Sequence, residues 1–219
     1  MSIIAKSVVK QMVELNGKKI LVTFLMHLGD LTLTTPFIHA LRKAAPDSHI
    51  AMLVDEKLKD VVLFNPYLDE VITIDKKGRD NSILALIACA RHLSKHKFDV
   101  LINLHPNERC SFIDALTSVK LRTGTTHTIF KWRWDVFTPL DRTMHAADMY
   151  LDVLRQLGVK DLTNNGLEIF PGERHVKEAA DFIKKTARGN PVLDTIKDSL
   201  KDIGNNWQGT VYGVMNPDK

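Results

Sequence analysis

Cysteine is nearly absent: two residues in 219, Cys89 and Cys110, neither at the spacing of a disulfide framework or a zinc site. The reducing cytoplasm is therefore the expected compartment. With 11 glycines and 8 prolines the chain excludes collagen-like and low-complexity architectures, and no internal repeat stands out. Neither sign of charge dominates, since 30 Lys and Arg face 26 Asp and Glu, a formal net charge of +4. A balance this mild gives no reason to expect a nucleic acid, whereas an acidic small molecule or lipid head group fits it. What remains is 44% hydrophobic and 26% charged, the composition of a packed globular protein rather than a disordered one.

Long apolar runs are also lacking. The one stretch to test is 20–41, where Asp30 is the only Asp, Glu, Lys or Arg, but it holds four threonines, two histidines and Pro36. Burying Asp30 in hydrocarbon costs several kcal/mol, so a spanning helix is rejected. No central apolar block with a small-residue cleavage site occupies the first 16 residues, which argues against a secretory signal. Ile4, Val8, Val9, Met12 and Val13 instead share one face of an amphipathic helix, with Lys6 and Lys10 beside them. Such a helix docks on its own domain or lies in an anionic lipid interface.

From there onward, short β-branched runs alternate with helical patterns, the signature of a parallel sheet covered by helices on both faces. Strands are expected over 19–24, 49–54, 70–74, 99–104, 120–123 and 166–170. Helices are expected up to about Lys43, from Ser82 as N-cap, from about His145 to Leu157 with Gly158 as the left-handed stop, and over 173–187. The segment 124–142 is irregular and long for a connection, with Phe130, Trp132 and Trp134 interleaved with Lys131 and Arg133. These aromatics read as loop packing rather than sugar platforms. After a break at Gly189-Asn190-Pro191, a helix over 193–203 and a strand over 210–215 complete the pattern.

The chemistry concentrates after the first strand. There a buried parallel strand delivers the chain to the carboxyl edge of the sheet, where open α/β proteins bind ligands. Gly29 allows a close turn, and Asp30 stands at or just before a helix start. A carboxylate so placed either takes a proton from a substrate hydroxyl or, with Thr32, Thr34 or Thr35, caps the helix. One glycine cannot serve as a dinucleotide fingerprint, which needs three. No cofactor is called for, and no set of ligands for a metal stands beside Asp30.

The ordered series Leu28-Gly29-Asp30-Leu31-Thr32-Leu33-Thr34-Thr35-Pro36, the helix Ala40-Leu41-Arg42-Lys43-Ala44-Ala45-Pro46, Asn65-Pro66-Tyr67-Leu68-Asp69-Glu70-Val71 and His145-Ala146-Ala147-Asp148-Met149-Tyr150 resembles the ADP-heptose:lipopolysaccharide heptosyltransferases of glycosyltransferase family 9. The likeness covers about 19–187. It implies the Rossmann-like N-terminal domain of a GT-B glycosyltransferase, the half that holds the acceptor. It implies Asp30 as general base of an inverting transfer to the lipopolysaccharide core. Gly29 and the cations Lys76, Lys77, Arg79, Arg109, Lys131, Arg133 and Arg142 become candidates for contacting the acidic acceptor. His105 and His145 read as structural.

The resemblance divides the chain into an N-terminal amphipathic helix (1–17), an acceptor-binding domain (18–188) and a helix and strand (189–219) leading toward a donor domain that the chain lacks. ADP-heptose is then a partner only where a donor domain is present. The expected setting is the cytoplasmic face of the inner membrane, with peripheral contact. The competing expectation is a non-catalytic Rossmann-like binding or assembly module without a donor site.

Overall fold

The computed structural model describes residues 13–105, 107–125 and 129–186. Its frame is a six-stranded sheet of order β3-β2-β1-β4-β5-β6, with every pair parallel. The strands are β1 (Lys19–Thr23), β2 (His49–Asp55), β3 (Glu70–Ile74), β4 (Val100–Asn103), β5 (Leu121–Gly124) and β6 (Val136–Phe137). The helices are α1 (Leu28–Thr32), α2 (Thr35–Ala44), α3 (Ile83–Lys95), α4 (Glu108–Leu116), α5 (Ala146–Gln156) and α6 (Glu173–Thr186).

A parallel sheet is covered on both faces, so its central strands read as unbroken apolar runs rather than alternations. Ile20, Leu21 and Val22 in β1 are all fully buried. Their parity sorts them into two cores. Ile20, Val22 and Phe24 pack with Phe37, Ile38 and Leu41 of α2 and Leu151 and Leu154 of α5. Leu21 and Leu25 pack with Leu86 and Leu93 of α3 and Ile113 of α4. Each such side chain contributes about 1.5–3 kcal/mol when fully buried.

Local signals placed several boundaries. Ser82 Oγ accepts the Ala85 N–H at 3.2 Å and starts α3. His145, a structural residue as expected, accepts the Ala147 N–H through Nδ1 at 3.3 Å and starts α5. Gly158 (φ +101°) ends α5, with its N–H on Arg155 O at 3.1 Å. The stretch 20–41 divides into β1, α1 and α2, and among the described residues no helix is long and apolar enough to cross a membrane.

Several features differ from expectation. The single helix up to Lys43 is broken at Leu33–Thr34, where the Thr34 and Thr35 hydroxyls donate back to Leu31 O (2.7 Å) and Thr32 O (2.9 Å), and Pro36 fits the first turn of a new helix. Residues 166–170 form no strand, because their polar groups pair with a helix instead of a sheet edge: the Glu168 N–H donates to Thr35 Oγ1 at 3.0 Å, and its carboxylate meets His39 Nδ1 at 3.1 Å. The sheet gains β6 inside the irregular segment, where Thr123 pairs Val136 and Gly124 pairs Phe137. Finally, α4 was not legible, since it buries Ser111 and Asp114 along with Cys110 and Ile113 and so lacks a clean apolar stripe.

Of the expected N-terminal helix, residues 13–17 are not helical: Val13 N–H donates to Leu157 O at 2.9 Å and Gly17 turns at φ +68°. The remainder of that segment, the helix over 193–203 and the strand over 210–215 lie outside the described residues.

Candidate active site

In the strand order, β1 and β4 are the neighbours at which the chain's progression reverses: β2 and β3 lie to one side, β5 and β6 to the other. Loops leaving the carboxyl ends of such a pair diverge and open a crevice, the usual ligand position of open α/β sheets. A cleft of about 290 Å³ is found there. Met26 after β1 and Leu104 and His105 after β4 line it, α5 supplies Met149 and Tyr150, and Asp30 of α1 and Arg142 of the segment before α5 complete the lining.

Asp30 lies in the first turn of α1, with its side chain 39% exposed. The N-cap of α1 is His27 and that of α2 is Thr34, and neither makes a side-chain capping bond. The carboxylate therefore caps neither helix; it pairs with His27 Nδ1 at 3.6 Å. Gly29 sits inside the same turn with open space around its Cβ position and no positive φ, so the backbone makes no demand for glycine there.

The surrounding groups are electrostatically linked to Asp30. Burial pulls the His105 imidazole below its ordinary pKa; the Asp30 charge opposes this, and Lys76 and Arg142 assist it. Its Nδ1 is buried with no hydrogen-bond partner among the described residues. Burial pushes the Tyr150 phenol up to about 12, and Asp30 adds to the effect. At neutral pH the cleft thus presents a neutral imidazole and a protonated phenol beside one carboxylate and one guanidinium. Asp30 and Arg142 are candidates from the sequence, whereas Tyr150 is not; Phe24 packs edge-on against its ring, with centroids 5.7 Å apart.

The other cations lie elsewhere. Lys76 turns inward, donating to Leu25 O (2.8 Å) and Met26 O (2.9 Å) and pairing with Asp55 at 3.2 Å. It thereby clamps the β1–α1 loop to the end of β2. Arg109 bonds Lys76 O and Asn81 Oδ1, joining the first turn of α4 to the β3–α3 loop. Arg79 is exposed and paired with Glu56 (2.8 Å) and Asp80 (3.3 Å), and Lys77 is exposed in the same turn. Arg133 donates to Ala115 O (2.9 Å) at the end of α4, with exposed Lys131 and Trp132 next to it. Of the aromatic trio, Trp134 is buried as loop packing demands, its indole N–H on Ile129 O at 2.9 Å, whereas Trp132 is 79% exposed and packs no core.

Beneath the cleft lies a buried polar knot that the sequence did not announce. Asp114 of α4 accepts the Thr23 hydroxyl at 2.8 Å and an Asn103 amide N–H, so one carboxyl ties the last residues of β1 and β4 together. Burial pushes that carboxyl up to about 7, against the opposing effect of its Asn103, Thr23 and Cys110 contacts.

A glycosyl transferase family 9 crystal structure from Veillonella parvula is 50% identical, with a TM-score of 0.76 over 79% of this chain and 51% of that one. The chain belongs to glycosyltransferase family 9. Lipopolysaccharide heptosyltransferase 3 of Escherichia coli K12 is 26% identical over 140 residues, which is 61% of this chain and 40% of that protein. The E. coli ADP-heptose lps heptosyltransferase II superposes with a TM-score of 0.60 at 14% identity, over 75% of this chain and 50% of that one; at such identity the likeness is one of fold. No protein-family profile matches. The family 9 chain spans about half the length of these relatives, and its fold is their Rossmann-like GT-B domain.

Proposed function

We propose that this domain is the acceptor-binding part of a glycosyltransferase that moves heptose from ADP-heptose to the lipopolysaccharide inner core with inversion, and that Asp30 is the general base. The observation that carries the reading is a partly exposed carboxylate, engaged in no helix cap, on a cleft at the topological switch point. Family 9 membership and the named functions of the E. coli relatives support the substrate class.

In the transfer, Asp30 takes the proton of an acceptor hydroxyl as that oxygen bonds to the anomeric carbon. The bond from that carbon to the nucleotide diphosphate breaks on the opposite side, with the electron pair leaving on the phosphate oxygen. Arg142, in the lining of the same cleft, meets an acceptor carboxylate or phosphate, a task suited to a guanidinium fork. His105, kept neutral by burial, and the Tyr150 hydroxyl supply hydrogen bonds without competing for the proton. The cytoplasmic face of the inner membrane, with peripheral contact, is the setting that this acceptor requires. Lys77 and Arg79 belong to the same proposal as outer contacts for a large anionic acceptor, and Gly29 as a point of close backbone approach. Lys76 and Arg109 would act through the loops they hold. Lys131 and Arg133 lie by the end of α4 and are proposed only for distal phosphates.

Titrating the chain with a phosphorylated inner-core fragment tests this reading. Arg142→Ala is expected to weaken binding several-fold, with the loss shrinking as salt rises. Affinity equal to wild type at low salt removes the cleft as acceptor site.

A further inference from the structure

At the opposite edge of the sheet from the cleft, the end of α3 carries His92 and His96, one helical turn apart. Residues at this spacing share a helix face. Their Nε2 atoms lie 3.4 Å apart. Two imidazole nitrogens at Zn–N distances of 2.0–2.1 Å from one tetrahedral ion are separated by about 3.4 Å. The far nitrogen of His96, Nδ1, faces Glu70 Oε2 at 3.5 Å, and that oxygen also meets His49 Nε2 at 3.2 Å. A carboxylate on the remote ring nitrogen is the usual device that orients a metal-binding histidine and raises its basicity. His96 is also held by its neighbour, its ring stacked on Phe98 with centroids 5.4 Å apart and planes 5° from parallel. Its side chain is 24% exposed, and His92 is exposed, so an ion reaches the pair from solvent.

We infer that His92 and His96 form a two-imidazole chelate for a divalent transition metal, with Glu70 as the orienting carboxylate. Among the described residues no group of three or more His, Cys, Asp or Glu is gathered to hold a metal, so water completes the coordination shell. Nitrogen-only ligation favours Cu²⁺, Ni²⁺ and Zn²⁺ over Mg²⁺ and Ca²⁺. The ion would fasten the end of α3, through His96 and Glu70, to the start of β3. This site stands independently of the acceptor cleft and of the transferase reading.

Calorimetric titration of the untagged chain with Ni²⁺, Zn²⁺ and Mg²⁺ separately tests it. One equivalent of Ni²⁺ or Zn²⁺ is expected to bind saturably and raise the melting temperature, while Mg²⁺ does neither. His92→Gln and His96→Gln should each weaken binding at least tenfold, and Glu70→Gln about 10- to 100-fold through the remote nitrogen. Both histidine variants binding as wild type, or no saturable Ni²⁺ or Zn²⁺ binding below 1 mM, would overturn the site and leave a simple Nε2–H···Nε2 hydrogen bond between the two rings. Unchanged affinity in Glu70→Gln would remove Glu70 from it.

Discussion

The Asp114 carboxylate accepts the Thr23 hydroxyl at 2.8 Å, fastening α4 to the end of the strand from which the chain proceeds to Asp30. The same oxygen receives the Asn103 amide, so the two loops that floor the cleft spring from strand ends joined through one buried group. Because this carboxyl has a folded value near 7, above the roughly 3.9 of an unfolded chain, folding takes up a proton between those values. Its favourable contribution is complete below about pH 4 and is lost as pH rises toward 7. Urea melts across pH 4–8 should show a falling component of a few kcal/mol, and Asp114→Asn should flatten it. A wild-type profile in the variant would contradict the assignment.

Lys76 is expected to matter for stability first. Its ammonium sits between two backbone carbonyls and the buried Asp55, so Lys76→Met strands a carboxylate at a cost on the order of 3 kcal/mol. Lys77→Ala, at an exposed neighbouring position, should stay within about 0.5 kcal/mol of wild type. Equal denaturation midpoints for the two variants would refute the clamp.

Gly124 and Gly29 should respond in opposite senses to alanine. A Cβ at Gly124 would come within 2.6 Å of the buried Trp134 ring, so Gly124→Ala forces β5 and the indole apart and costs about 1–3 kcal/mol. At Gly29 there is open space on a helix, and Gly29→Ala should hold or raise stability by up to about 1 kcal/mol. Thermal melts of the two variants separate these outcomes.

The sequence was most legible where one physical demand acts alone. β1 had to be apolar on both faces, Ser82 had to satisfy open N–H groups, and Gly158 had to adopt positive φ; each reads directly from residue type. The segment 166–170 misled because apolar residues alternate in it, Leu167, Ile169 and then Phe170, although Leu167 and Ile169 are exposed and the polar Glu168 is the buried member. α4 escaped because its buried face includes Asp114, a polar residue whose partners are Asn103 on the preceding strand and Thr23 on β1, far off in sequence. At the site, Asp30 stood out through its neighbours in the chain, but Tyr150 and His105 become cleft residues only when β1, β4 and α5 converge. Lys76 shows the reverse case: a basic residue in a turn looks solvated until the carbonyls it binds are seen.

The central claim is proton removal by Asp30, and its most direct measurement is the turnover of Asp30→Asn in a full-length protein containing this domain, assayed with ADP-heptose and an inner-core acceptor. The variant keeps the size and polarity of the side chain, so fold and acceptor affinity should be nearly unchanged while kcat falls about 10²- to 10⁴-fold. A kcat within a few-fold of wild type, at unchanged acceptor affinity, would contradict the account.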